Sequence, residues 1–189
     1  QSSDELVFEE KDETFSCFIQ KSKSNKYLII TSSQTLSTEH RFLDADNPTG
    51  KWKIVQPREE DHRYSIQHFG DHFFIKTNLN AKNYKIVKTP VTSTEKENWT
   101  EVIAHRDETF IEGLEIFNDY LVISERENGL PQLRVIKWED QSEYYIEFND
   151  PTYTAFIGNN PEFKTETLRY GYTSLTTPYT VYDYNMESK

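Results

Sequence analysis

Apolar residues along this chain gather in short runs separated by polar, turn-forming stretches. Four runs are almost continuously apolar or aromatic: KYLIITS from Lys26, HFFIKTN from His72, DYLVISE from Asp119 and TLRYGYTS from Thr167. In Tyr27–Ile30 and Tyr120–Ile123 both alternating sets of side chains are apolar, which predicts strands covered on both faces. Other runs alternate. In LRVIKW, Leu133, Val135 and Lys137 fall on one side, with Arg134 and Ile136 on the other. Such a strand lies nearer a rim and meets water on part of its surface.

The runs recur at a regular interval. From Tyr27 to Phe73, Tyr120 and Leu168 the steps are 46, 47 and 48 residues. After each comes a second segment, namely HRFLDA from His40, YKIVKT from Tyr84, LRVIKW from Leu133 and TVYDYN from Thr180. A third follows in the first three units, as KWKIVQP from Lys51, NWTEVIA from Asn98 and EYYIEFN from Glu143. Ahead of each main run lies one more segment: FSCFIQ from Phe15, YSIQHF from Tyr64, FIEGLEIF from Phe110 and YTAFIG from Tyr153. Turn residues separate them, in DNPTG at Asp46, FGDH at Phe69, ENGLP at Glu127 and NNPEF at Asn159.

Four antiparallel strands in a period of about 47 residues are the mark of a β-propeller blade. The predicted fold is therefore all-β, with about four blades over residues 15–57, 64–104, 110–148 and 153–186. A β-sandwich would account for the strands but not for their spacing. ELVFEE, residues 5–10, is expected as the last strand of a preceding blade. Three full units and three strands of a fourth are expected to be an arc of a larger ring. Such an arc exposes blade faces and strand edges, so self-association is expected, with Glu5–Glu10 as a candidate to complete the last blade in the same or a neighbouring copy.

Composition agrees with strands: Tyr and Phe number 12 each and Gly only 6. Charge narrows the partners. With 32 acidic against 21 basic residues the net charge is −11, which argues against nucleic-acid binding and would suit attraction of cationic peptides. No apolar stretch approaches membrane-spanning length and no signal-peptide pattern opens the sequence, so no membrane partner is expected. The expected location is the cytoplasm, with the periplasm as the alternative.

Candidate chemistry is sparse. Cys17, the single cysteine, sits in TFSCFIQ and reads as a buried, inert thiol. No Gly-x-Ser-x-Gly elbow or phosphate loop occurs; the nearest approach, Gly171-Tyr172-Thr173-Ser174, lies in a predicted strand and its loop. His62, His68 and His72, with Asp61 and Asp71, form the densest metal-like group. In an extended chain His68 and His72 are expected at opposite ends of a hairpin, so these read as surface or strand histidines. The acidic runs FEEKDET and PREEDHR read as solvated loops, and Asn98-Trp99-Thr100 as a chance glycosylation pattern. No catalytic, cofactor-binding or metal-ligating residue is assigned, and no cofactor is expected. The loops SSQTLSTEH, TNLNAKN, SERENGLP and TSLTTPY occupy matching places and would gather on one rim, presenting Glu125 and Arg126 to a partner.

Four stretches carry a resemblance: SSQTLSTEHRFLDAD, FFIKTNLNAKNYKIVKTP, EGLEIFNDYLVISERENGLPQLRVI and LRYGYTSLTTPYTVYDYNM. In this order they resemble successive propeller blades of the prolyl oligopeptidase family, most closely its oligopeptidase B or protease II branch. The resemblance implies a seven-bladed propeller capping an α/β-hydrolase domain that carries a Ser-Asp-His triad. It also implies hydrolysis of short peptides after Arg or Lys, with these residues as part of the gating propeller. The catalytic α/β-hydrolase domain is then a partner outside this sequence, and short basic peptides are the substrates. No position here matches the family's nucleophile, acid or base, so this stretch is expected to be inactive alone. The alternative is a non-enzymatic propeller serving as a binding scaffold.

Overall fold

The computed structural model describes residues 5–189. Fifteen strands form four antiparallel sheets, each built in chain order. The first holds β1 (Ser16–Lys21), β2 (Tyr27–Ser33), β3 (Thr38–Asp44) and the short β4 (Lys53–Ile54). The second holds β5 (Tyr64–Phe69), β6 (His72–Thr77), β7 (Lys85–Pro90) and β8 (Thr100–Ile103). The third holds β9 (Thr109–Ile116), β10 (Tyr120–Glu127), β11 (Leu130–Lys137) and β12 (Glu143–Tyr145). The fourth has three strands, β13 (Tyr153–Ile157), β14 (Thr167–Ser174) and β15 (Thr180–Asn185). Every recurrent segment read from the sequence falls on one of these strands, and the sheets are β-propeller blades.

Turn chemistry fixes two hairpins tightly. Phe69 pairs with His72, leaving Gly70 and Asp71 as the loop, with Gly70 at φ +59°. Glu127 pairs with Leu130 across Asn128 and Gly129, both at positive φ, which is the backbone of a type I′ turn. A Cβ at Gly70 or Gly129 would meet no neighbour, so conformation rather than space selects glycine there.

The two faces of each central strand enter different cores. On β6, Phe73 and Ile75 pack with Ile29, Phe42 and Val55 of the first blade, while Phe74 packs with Leu121 and Ile123 of the third. On β10, Leu121 and Ile123 join the second blade, while Tyr120 and Val122 pack with Leu168, Tyr170 and Tyr172 of the fourth. Blades two and three are thus sandwiched between neighbours. This explains why their central strands are apolar on both sides. Full burial of each such Ile, Leu or Phe contributes about 1.5–3 kcal/mol.

Two expectations are corrected. Cys17 is exposed, as is every residue from Ser16 to Lys21, because among the described residues no sheet packs over this strand as one does over β5 and β9. The stretch 5–10 pairs with no strand of this chain, so it does not complete the fourth sheet here. It lies along the first blade instead, where Phe8 sits under the Arg41 guanidinium at 4.4 Å and Glu10 accepts from Arg58 at 2.6 Å. Side-chain cations, rather than a ladder of backbone hydrogen bonds, hold it there.

Candidate functional site: the axial wall

The ends of the first strands of the four blades, β1, β5, β9 and β13, and the turns that follow them gather at one place. A cavity of about 450 Å³ opens there, lined by residues from all four blades. Lys23, from the turn after β1, reaches across the second blade to Glu115 of β9, with Nζ 2.6 Å from Oε1. The same ammonium lies 3.6 Å from the centre of the Phe117 ring. Burial lowers the pKa of Lys23, and Glu115 acts against that shift. The contact is an ion pair with an aromatic floor.

Beneath it, His68 is buried. Its Nδ1 lies 2.7 Å from Ser24 Oγ, which in turn lies 2.9 Å from Ser22 Oγ. Tyr27 and Phe73 pack on the imidazole at centroid distances of 4.7 and 5.7 Å. Burial pushes the His68 pKa down to about 4, so the ring is neutral at pH 7. A hydroxyl on a neutral imidazole is half of a nucleophile–base arrangement. The other half is missing, since Nε2 is buried without a hydrogen-bond partner and no carboxylate orients the ring. The pair is a packing element that joins the first two blades.

Gln67 joins the next two. Its amide donates to the Leu114 carbonyl at 2.7 Å and accepts from the Ile116 N–H at 3.0 Å. One side chain therefore stands in for a strand partner on the free edge of β9. Asn160 plays the same part in the fourth blade, donating to the Arg169 carbonyl at 2.9 Å and accepting its N–H at 2.7 Å.

The histidines do not converge. His68 and His72 flank one tight turn rather than opposite ends of a hairpin. They are not cross-strand partners: His68 pairs with Phe73 and His72 with Phe69, which puts the two imidazoles on opposite faces. His62 is buried elsewhere, with Nε2 2.9 Å from Thr77 Oγ1. Among the described residues no group of three or more His, Cys, Asp or Glu is placed to hold a metal ion.

At the opposite end of the blades, Glu125 is not a rim residue awaiting a partner. It lies within β10, fully buried, bonded to Arg106 and accepting from the Tyr145 hydroxyl at 2.9 Å, with Arg134 at 3.5 Å. Arg126 is exposed but engaged, donating to Glu112 at 2.7 Å and to the Gly129 carbonyl at 3.0 Å. The first blade has a counterpart. Buried Glu39 meets Arg41 at 2.5 Å and Arg58 at 3.2 Å, and Arg58 also holds Glu10. The two acidic runs are thus joined to each other through Glu10 and Arg58, while Glu59 binds Lys96 at 2.6 Å. Sequence reasoning missed these clusters, because Arg58, Arg106 and Arg134 come from other segments than the glutamates they meet.

Comparisons with known proteins agree with this geometry. The family model described as prolyl oligopeptidase, N-terminal β-propeller domain, matches residues 1–189. A dipeptidyl aminopeptidase BI of Pseudoxanthomonas mexicana is 41% identical over 188 residues, which is 99% of this chain and 26% of that protein. Protease 2 of Moraxella lacunata is 32% identical over 98% of this chain and 26% of its own length. Oligopeptidase B from Trypanosoma brucei, in a closed form with covalently bound antipain, superposes with a TM-score of 0.90 at 28% identity. That match covers 100% of this chain and 28% of that one. The chain spans about a quarter of the length of the curated relatives it matches.

Proposed function

Since this chain belongs to the prolyl oligopeptidase family, as a stretch of its N-terminal β-propeller domain, we propose that it helps screen the substrates of a serine oligopeptidase. In this reading the propeller covers a neighbouring α/β-hydrolase domain, which cleaves short peptides after Arg or Lys. The observation that carries it is the likeness to oligopeptidase B of Trypanosoma brucei over the whole chain. The physical basis is exclusion. Interleaved apolar cores close the seams between blades, and the axial cavity is crossed by the Lys23–Glu115 pair. Small or unfolded peptides pass such a barrier and folded proteins do not, while opening between domains sets the rate of entry. The net charge of −11 favours arrival of basic peptides. Glu125 is not the residue that draws them, being buried against Arg106 and Arg134.

A second reading is favoured by the 41% identity to a protein named dipeptidyl aminopeptidase BI, namely release of dipeptides from a free amino terminus. The two are separated with the full-length protein and two fluorogenic substrates. One is N-blocked with an internal Arg, and the other is a dipeptide amide with a free amino group. Cleavage of the blocked substrate, abolished by a serine-directed inhibitor, supports the oligopeptidase. Cleavage confined to the free-amino substrate supports the second reading. Cleavage of neither leaves the non-enzymatic binding scaffold.

A further inference from the structure

The end of the axial wall away from Lys23 holds a cavity of about 300 Å³ between the first two blades. Arg63, just ahead of β5, and Lys76 of β6 both line it, with Phe18 and Tyr84 as apolar walls. Two like charges side by side are costly, and in a chain of net charge −11 carboxylates are plentiful. Yet among the described residues neither cation has a carboxylate within 4 Å. Lys23, the comparable half-buried lysine at the other end, has Glu115.

Lys76 is held by a backbone carbonyl and an aromatic face and, among the described residues, by no carboxylate. Its ammonium donates to the Glu112 carbonyl and lies 4.7 Å from the Tyr84 ring centre. That carbonyl is available because the β9–β10 pairing steps from Gly113 to Ile111 and passes over Glu112. The Glu112 carboxylate is meanwhile taken by Arg126 at 2.7 Å. An ammonium has three donors, so one bond to a carbonyl leaves capacity for a ligand. Burial first, then the neighbouring Arg63 charge, lowers the Lys76 pKa, and a bound anion would relieve both. The Arg63 side chain is exposed and free to turn its planar fork toward a carboxylate.

We propose that Arg63 and Lys76 form an anion subsite that holds the C-terminal carboxylate of a bound peptide, with the last side chain between Phe18 and Tyr84. The proposal rests on the peptidase reading above and gives it a means of sensing where a peptide ends. A charge-assisted contact of this kind amounts to about tenfold in affinity.

The test uses the full-length protein and a pair of short fluorescent peptides that differ only in ending as acid or amide. Anisotropy should show the acid bound about tenfold tighter by the wild type, with the ratio falling to about one in R63Q/K76M. Equal binding of acid and amide by the wild type, or an unaltered ratio in the double variant, would overturn the site. Inorganic phosphate bound as tightly as the acid peptide, and lost in the double variant, would reassign the pair to free anions and equally overturn it. Should R63Q/K76M fail to fold by circular dichroism, Arg63→Gln alone gives the same reading, since that side chain is exposed. Binding is read without turnover, so the two readings fail separately. Selective binding of acids without cleavage removes the peptidase and supports the subsite, whereas cleavage with no acid preference in binding removes the subsite alone.

Discussion

The Lys23 ammonium sits 2.6 Å from the Glu115 carboxylate although the two are 92 positions apart, with an entire blade between them in sequence. The pair closes a loop around the second blade at its axial end, and both side chains are largely shielded from water. A double-mutant cycle of Lys23→Met and Glu115→Gln, followed by urea unfolding, should return a coupling of about 1 kcal/mol. It should shrink in high salt. Additive single effects would show that the blades are held by their cores alone.

Glu125 presents a harder case. Removing it leaves Arg106 and Arg134 facing each other without the carboxylate they share. Glu125→Ala should therefore destabilise by about 3 kcal/mol, and Glu125→Gln, which keeps the shape and part of the bonding, by clearly less. Denaturation midpoints of the two variants decide this; equal losses would mean that packing, not charge, is what Glu125 supplies.

Acid should act in two stages. The folded chain refuses a proton on His68 until about pH 4, whereas an unfolded histidine takes one up near 6.5. Stability is then flat above pH 6.5 and falls between 6.5 and 4, by on the order of 3 kcal/mol from this residue. His40 and His62, also lowered by burial, act in the same direction. Glu10, held down to about 2 chiefly by its hydrogen bond from Arg58, adds stability above pH 4.5 that is lost from there to 2. Urea midpoints taken at intervals from pH 7.5 to 3 give the profile, and His68→Asn should flatten its upper limb. An unchanged upper limb would exclude His68 as its source.

Cys17 should react with a thiol reagent in the folded chain at nearly the rate of the unfolded chain, because no sheet covers β1 among the described residues. Protection by a hundredfold or more would mean that another surface covers β1 in solution.

The blades were legible in the sequence because strand placement follows local patterning. Tyr120–Ile123 had to be covered twice, and the cores show each face packed against a different neighbour. The two-residue loops at Gly70 and Asn128–Gly129 were equally local. The polar side chains were not legible in the same way. Glu125, set in a polar loop-like string, is buried because the chain brings Arg106 from the preceding linker and Arg134 from the next strand. Glu10 and Arg58 look like solvated charges until their two segments are laid together. Cys17 erred the other way, since apolar neighbours promise burial only where a second sheet arrives to provide it.

The Gln67 amide has a consequence for the free edge of β9. By occupying the Leu114 carbonyl and the Ile116 N–H, it blocks the stretch of β9 onto which an extended peptide could add itself as a further strand. If the substrate-screening reading proposed above holds, a peptide at that point would have only its side chains and its ends to offer. Such a lining would be indifferent to how far a guest could stretch, and attentive to what the guest carries.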